Sequence, residues 1–168
     1  MKRLFFLMIL AICFTFDING QNLVFLGDRS FPSSETYTLK SNSQGQGFDD
    51  LRIVFARDGK GKRLVINSRL SSSFEIGSNL IVYLNDGEVI TPLDVSMNDH
   101  VDGVFIAAYG LSDGDIAKMK NSNIHTIRYE IKYDRTGFGL EHSSTRSASN
   151  TGKHKTDFTE VISNFFND

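Results

Sequence analysis

Gly110-Leu111-Ser112-Asp113-Gly114 is the stretch of this chain whose residue types could form a nucleophilic centre. The spacing G-x-S-x-G is that of a nucleophile elbow, a sharp strand-to-helix turn that exposes a serine. Such a serine needs a histidine to take its proton and an acid to orient that histidine. Asp134 or Glu141, then His142 or His154, supply the order Ser, acid, His. The same residues also suit a purely structural task. Ser112 can cap a helix, and Asp113 and Asp115 in its first turn face the positive end of the helix dipole. The cap accounts for every residue of the stretch, whereas the elbow belongs to larger folds in which strands and helices alternate. Ser112 is therefore the single catalytic candidate, and a serine hydrolase is the alternative to a non-enzymatic reading.

The remaining motifs are weaker. Asn98-Asp99-His100-Val101-Asp102-Gly103 has the polarity of a calcium loop but not its ligand pattern, which needs Asp first and a bidentate Glu twelfth; positions 98 and 109 are Asn and Tyr. It reads as a polar turn before a strand. His100, His125, His142 and His154 show neither i, i+4 pairing nor HExxH, so no zinc site is expected. Gly59-Lys60-Gly61 and Gly137-Phe138-Gly139 lack the spacing of a phosphate-cradling loop. No cofactor follows from any of these motifs.

Composition narrows the class further. The net charge of -2 with interspersed signs gives no electrostatic reason to expect nucleic acid or an anionic membrane as partner. Met1-Lys2-Arg3, the uncharged run Leu4 to Phe16, and the polar step to Gly20 have the layout of a secretory signal peptide. Its apolar run of thirteen residues is short of the roughly twenty that span a bilayer. Cleavage is expected at Gly20/Gln21, giving a signal peptide over 1–20 and one globular domain over 21–168, exported to the periplasm or outside the cell. The only cysteine, Cys13, falls in the leader. Bulky Ile12 before it argues against a lipobox, so the mature chain carries no lipid anchor, disulfide or catalytic thiol.

The elements that would position these residues are mostly strands. Asn22 to Leu26 is an apolar run, and Glu35 to Lys40 alternates with Tyr37 and Leu39 on one face. Leu51 to Ala56 and Arg63 to Asn67 flank Asp58-Gly59-Lys60-Gly61 as a hairpin. Leu80 to Leu84 and Val89 to Thr91 flank Asp86-Gly87, which suits a type I′ turn. Val101 to Tyr109 is another strand. In residues 126–133 Ile127, Tyr129, Ile131 and Tyr133 alternate with Thr126, Arg128, Glu130 and Lys132, the mark of a sheet with one face buried. Two helices come late, over about 112–121 and 157–166. The first has a capping box and a Leu111–Ile116 staple; the second is capped by Thr156 and carries the stripe Phe158, Val161, Ile162 and Phe165. Ser41 to Asp50 and Arg135 to Thr156 read as loops, the latter mobile. The sum is an α+β domain, an antiparallel sheet or sandwich of about eight short strands covered by the two helices.

The Tyr109-x-Leu111-Ser112 step, the acidic helix start, the Lys-rich helix, the Ile124-x-x-Ile127-Arg128-Tyr129 strand and the Thr156-Asp157-Phe158-led terminal helix together resemble small exported bacterial proteins of unknown function. The resemblance implies a bacterial, exported α+β domain, and it supplies no catalytic residue. The expected function is non-enzymatic binding of an envelope or extracellular component.

Overall fold

The computed structural model describes residues 22–42, 49–59, 61–70, 74–134 and 141–167. Eleven strands follow one another as β1 (Asn22–Leu26), β2 (Arg29–Ser33), β3 (Tyr37–Ser41), β4 (Leu51–Asp58), β5 (Gly61–Arg69), β6 (Phe74–Leu84), β7 (Val89–Ile90), β8 (Leu93–Val101), β9 (Val104–Leu111), β10 (Ile124–Asp134) and β11 (Glu141–Ser149). Helix α1 (Asp113–Asn121) lies between β9 and β10, and α2 (Phe158–Phe165) ends the chain. Every pairing is antiparallel, in the order β7-β6-β10-β11-β3-β4-β5-β9-β8, with β2 beside β3 on β4 and β1 on β2. The protein is thus mainly β, and its sheet curls into a half-barrel.

Sequence pattern explains which face each strand buries. On β10, Ile127, Tyr129 and Ile131 are buried while Arg128 is exposed, the period of two expected when one side of a sheet meets the core. β4, β5 and β9 read instead as nearly continuous apolar runs, because both of their faces are covered. Ile53, Phe55, Leu64, Ile66, Ala107 and Tyr109 point into the main core inside the curl. Val54, Ala56, Val65 and Ala108 point outward, under Leu26 and Phe31 of the β1–β2 hairpin, and form a second small core.

The helices belong to the main core. Ile116 and Met119 of α1 and Phe158 and Ile162 of α2 are buried in it, together with Phe166. Phe158 meets the rings of Tyr37 and Phe55 edge-on at 5.4 and 6.1 Å, and Phe166 meets Phe55 at 5.9 Å. The stripe expected on α2 is present, with Val161 and Phe165 only partly buried and Phe166, one turn beyond Ile162, carrying the end of the contact. Arg57 donates to the carbonyls of Phe165 and Asn167 and stacks over the Phe165 ring at 5.2 Å, which closes the C-terminal end of the helix.

Several sequence expectations are corrected. Eleven strands replace about eight. Residues 141–149, expected to be loop, form β11, laddered along β10 from Thr126↔Ser149 to Asp134↔Glu141; a Ser- and Thr-rich strand buries little apolar surface and so carries no hydrophobic signature. Residues 43–48 and 135–140 of the two expected loops lie outside the described residues. The stretch from Asn98 is not a turn but the end of β8, followed by a two-residue turn in which Asp102 and Gly103 have φ of 51° and 76°. That is the conformation expected at Asp86-Gly87. There only Gly87 has positive φ, at 88°, and the link from Leu84 is longer, with Glu88 N–H donating to the Asp86 carboxylate. The cap of α2 is Asp157, not Thr156: its side chain accepts from Thr159 N–H. The carbonyl of Thr156 instead accepts from the amides of Asn123 and Asn150.

Candidate functional site

Ser112 stands where β9 gives way to α1, and its hydroxyl is committed. It accepts from Asp115 N–H at 3.1 Å and donates to Asp115 Oδ2 at 2.7 Å, while the Ser112 N–H donates to the same carboxylate at 2.9 Å. This is the complete capping box. Lys62 Nζ, 2.7 Å from Asp113 Oδ1, holds that carboxyl below its ordinary value of 3.8, first by hydrogen bonding and then by charge. Leu111 and Ile116 are both buried at this junction, as the staple requires.

The proposed partners of Ser112 are scattered. His142 pairs with Tyr133 at the end of the β10–β11 hairpin away from the helices, and the two rings stack at 5.7 Å. The β10 ladder from Ile124 to Tyr133 is about 30 Å long at strand rise. His125 exchanges a 2.8 Å hydrogen bond with Thr126. Asp134 and Glu141 face each other across the last rung of the ladder; their side chains, and that of His154, lie outside the described residues. Among the described residues no histidine is a hydrogen-bond partner of Ser112, and no three His, Cys, Asp or Glu side chains converge as metal ligands.

The structure does assemble a different site, from residues that sequence reading treated as a turn. The sheet curls far enough for β6 to approach β8 and β9 with Cα atoms within 8 Å, yet no ladder joins β6 to β8 among the described residues. Among the described residues β8 pairs along one edge only, with β9, and the first half of β6 pairs only with β10. A hydrogen bond crosses this seam: the buried Tyr109 hydroxyl donates to the Gly77 carbonyl at 2.6 Å. Burial, then the charges of Asp94 and Glu130, push that phenol well above its ordinary value. A Cβ at Gly77 would lie 2.5 Å from Glu130 Oε2, so a larger residue there would displace the Glu130 side chain, which folds over the strand at a β-bulge.

The seam opens into a cavity of about 260 Å3. Ile76 and Phe105 line its apolar part, and Glu75, Asn98, Asp99 and His100 surround it. The His100 ring lies flat on Phe105, centroids 3.8 Å apart and planes 10° from parallel. Asp99 holds two backbone donors, Gly27 N–H at 2.9 Å and His100 N–H at 2.7 Å, and so fixes the turn of the β1–β2 hairpin against β8. A second cavity, about 240 Å3, sits on the outer face of β6 and β10, where Asn79 donates to Glu130. The chain matches no family model, no curated protein and no solved structure among those compared. His100, Asp99 and Glu75 could not be found from spacing, because they come together only when the two ends of the sheet meet; the one local signal was a polar strand with no lysine or arginine.

Proposed function

We propose that the protein is an exported, non-enzymatic binding domain of the periplasm or extracellular space, and that the seam cavity is where it binds. The supporting observation is the cavity itself: an apolar part lined by Ile76 and Phe105 and a few polar groups around it. That combination of apolar surface with a small number of placed polar groups is how binding sites fix a ligand's orientation. Ser112, bound into its capping box, leaves the hydrolase reading without an activating base among the described residues. The leader of residues 1–20 supports export.

Two measurements test this. Mass spectrometry of the secreted product should show a chain beginning at Gln21; a chain retaining residues 1–20 would remove the export reading. Immobilised residues 21–168 should then recover a partner from an envelope extract, and His100→Ala, which alters the exposed rim and not the core, should lose it. Equal recovery by both proteins would place binding elsewhere.

A further inference from the structure

We propose that the cavity on the outer face of β6 and β10 binds a neutral oligosaccharide, which lies across β6, β10 and β11. The site is separate from the seam cavity: the two share no lining residue, and neither reading depends on the other.

The strands place the site. Side chains alternate between the two faces of a sheet. Leu80, Val82 and Leu84 of β6 are buried in the main core, so Asn79, Ile81 and Tyr83 lie on the outer face. On β10, Thr126, Arg128 and Glu130 share that face with Ser149, Ser147 and Thr145, directly opposite them on β11. The bulge between β6 and β10 re-aims one of these side chains, as bulges do. Glu130 bends over Gly77, which has no side chain to block it, and accepts from Asn79 Nδ2 at 2.9 Å. Beside it is the cavity of about 240 Å3, lined by Asn79, Ile81, Arg128, Glu130 and Thr145 together with Tyr129.

The lining selects the ligand. Arg128 is exposed, and among the described residues neither it nor Glu130 takes part in an ion pair. A guanidinium offers donors only, a carboxylate acceptors only, and the Thr145 hydroxyl both. A ligand that fills the cavity therefore needs acceptors, donors and some apolar surface on one compact frame. Sugar hydroxyls act both ways, and the C–H groups of a sugar ring can rest on Ile81. An anion seated on Arg128 would face the Glu130 carboxylate, a repulsive element that turns charged ligands away. Beyond the cavity, towards β3, the face continues in hydroxyls. Thr126 and Ser149 share a 2.8 Å hydrogen bond, and Asn42 donates to Ser147 and Ser149 at 3.1 and 2.9 Å. These groups hold one another in place before a ligand arrives, which lowers the cost of binding. A chain of sugars can use them; an amino acid or other small zwitterion cannot.

The test is calorimetric titration of residues 21–168 with maltohexaose, cellohexaose and chitohexaose. At least one should bind with a Kd of about 1 mM or tighter, and added salt should leave that binding unchanged. Free glucose should bind at least about tenfold more weakly. Arg128→Ala, at an exposed position, should weaken the hexasaccharide about tenfold with an unchanged melting temperature. Glu130→Gln keeps the acceptor for Asn79 and removes the opposing charge. It should bind an anionic chain, hexamannuronate, more tightly than the parent does, and that gain should fall with added salt. His100→Ala should bind the neutral sugar as the parent does. No binding of any of the three hexasaccharides, equal affinity for glucose, or full affinity of Arg128→Ala would each overturn the proposal. So would loss of the sugar in His100→Ala, or no difference between the parent and Glu130→Gln towards hexamannuronate. Binding of glycyl-glycine instead, lost in Arg128→Ala, would assign the cavity to a zwitterion and overturn it as well. Loss of the envelope partner with sugar binding retained would sink the seam reading alone.

Discussion

Ser112 shows how one residue type at one spacing can satisfy two unrelated chemistries, and how its hydrogen bonds separate them. A nucleophile needs its hydroxyl proton drawn toward a base; here the proton points to the carboxylate that completes the cap. Ser112→Ala should cost about 1 kcal/mol and Ser112→Asp almost nothing, measured by thermal melting, and a fluorophosphonate probe should leave the folded protein unlabelled. Labelling at Ser112 that is lost on prior denaturation would make the hydrolase the leading reading. Asn150 should be more sensitive. It is buried, its amide donates to the carbonyls of Ile124 and Thr156, and its oxygen accepts from Thr156 N–H. Asn150→Ala takes the partner from the Ile124 carbonyl and the Thr156 N–H, while the Thr156 carbonyl keeps Asn123; a group left unpaired in the interior costs about 1–3 kcal/mol. Asn150→Asp keeps the acceptor but turns a carboxylate oxygen towards two carbonyls in the interior, and should cost at least as much. A melting temperature unchanged by Asn150→Ala would show that water satisfies the site.

Elements with strong periodicity were legible in the sequence, and those whose stability comes from neighbours were not. β10 and α2 announce themselves because their apolar residues recur at the period of one buried face. β11 offers only Ala148 as a buried apolar residue, and it is held by the ladder to β10 and by a short one to β3. β2 contains Pro32, which fits there because β2 pairs with β4 only at Ser33. The type I′ turn went to the wrong Asp-Gly because both pairs fit the chemistry, and only the register of the flanking strands decides between them. The same packing makes α2 indispensable. Removing residues after Thr156 exposes the apolar surface met by Phe158, Ile162 and Phe166, each of which would cost about 2–5 kcal/mol on truncation to alanine against a total stability of about 5–15. The truncated chain should be unfolded or aggregated by circular dichroism. A cooperative melt at the parental temperature would show that the helix adds little to the main core.

At the scale of the whole molecule, curling brings together residues far apart in sequence, which is why the seam was invisible in the chain while its strands were not. Glu75 and His100 belong to the two ends of one sheet, and nothing in the spacing of residues 75 and 100 says that those ends meet. The curl also buries phenols, Tyr109 and Tyr129 fully and Tyr37 in part. Tyr37, Tyr109 and Tyr129 are all raised above the ordinary value of 10.0, each chiefly by burial; at Tyr129 the Ser68 hydroxyl and the Arg146 charge pull part of the way back. The sign of the pH effect follows. Below pH 10 these phenols are neutral in both folded and unfolded chains, and their contribution to stability is fully present. Above it the unfolded chain releases protons that the folded chain keeps, so stability falls by about 1.4 kcal/mol per pH unit for each such phenol until its folded value is reached. Tyr109, the most strongly shifted of the three, should dominate. Tyr109→Phe should cost about 1–2 kcal/mol at pH 7, because the Gly77 carbonyl loses its donor, and should flatten the decline above pH 10. Urea titrations of both proteins between about pH 8 and 11.5 measure this directly. Parallel alkaline slopes would mean that the Tyr109 phenol ionises as readily in the folded chain as in the unfolded one, and that the bond across the seam does not hold the two ends of the sheet together.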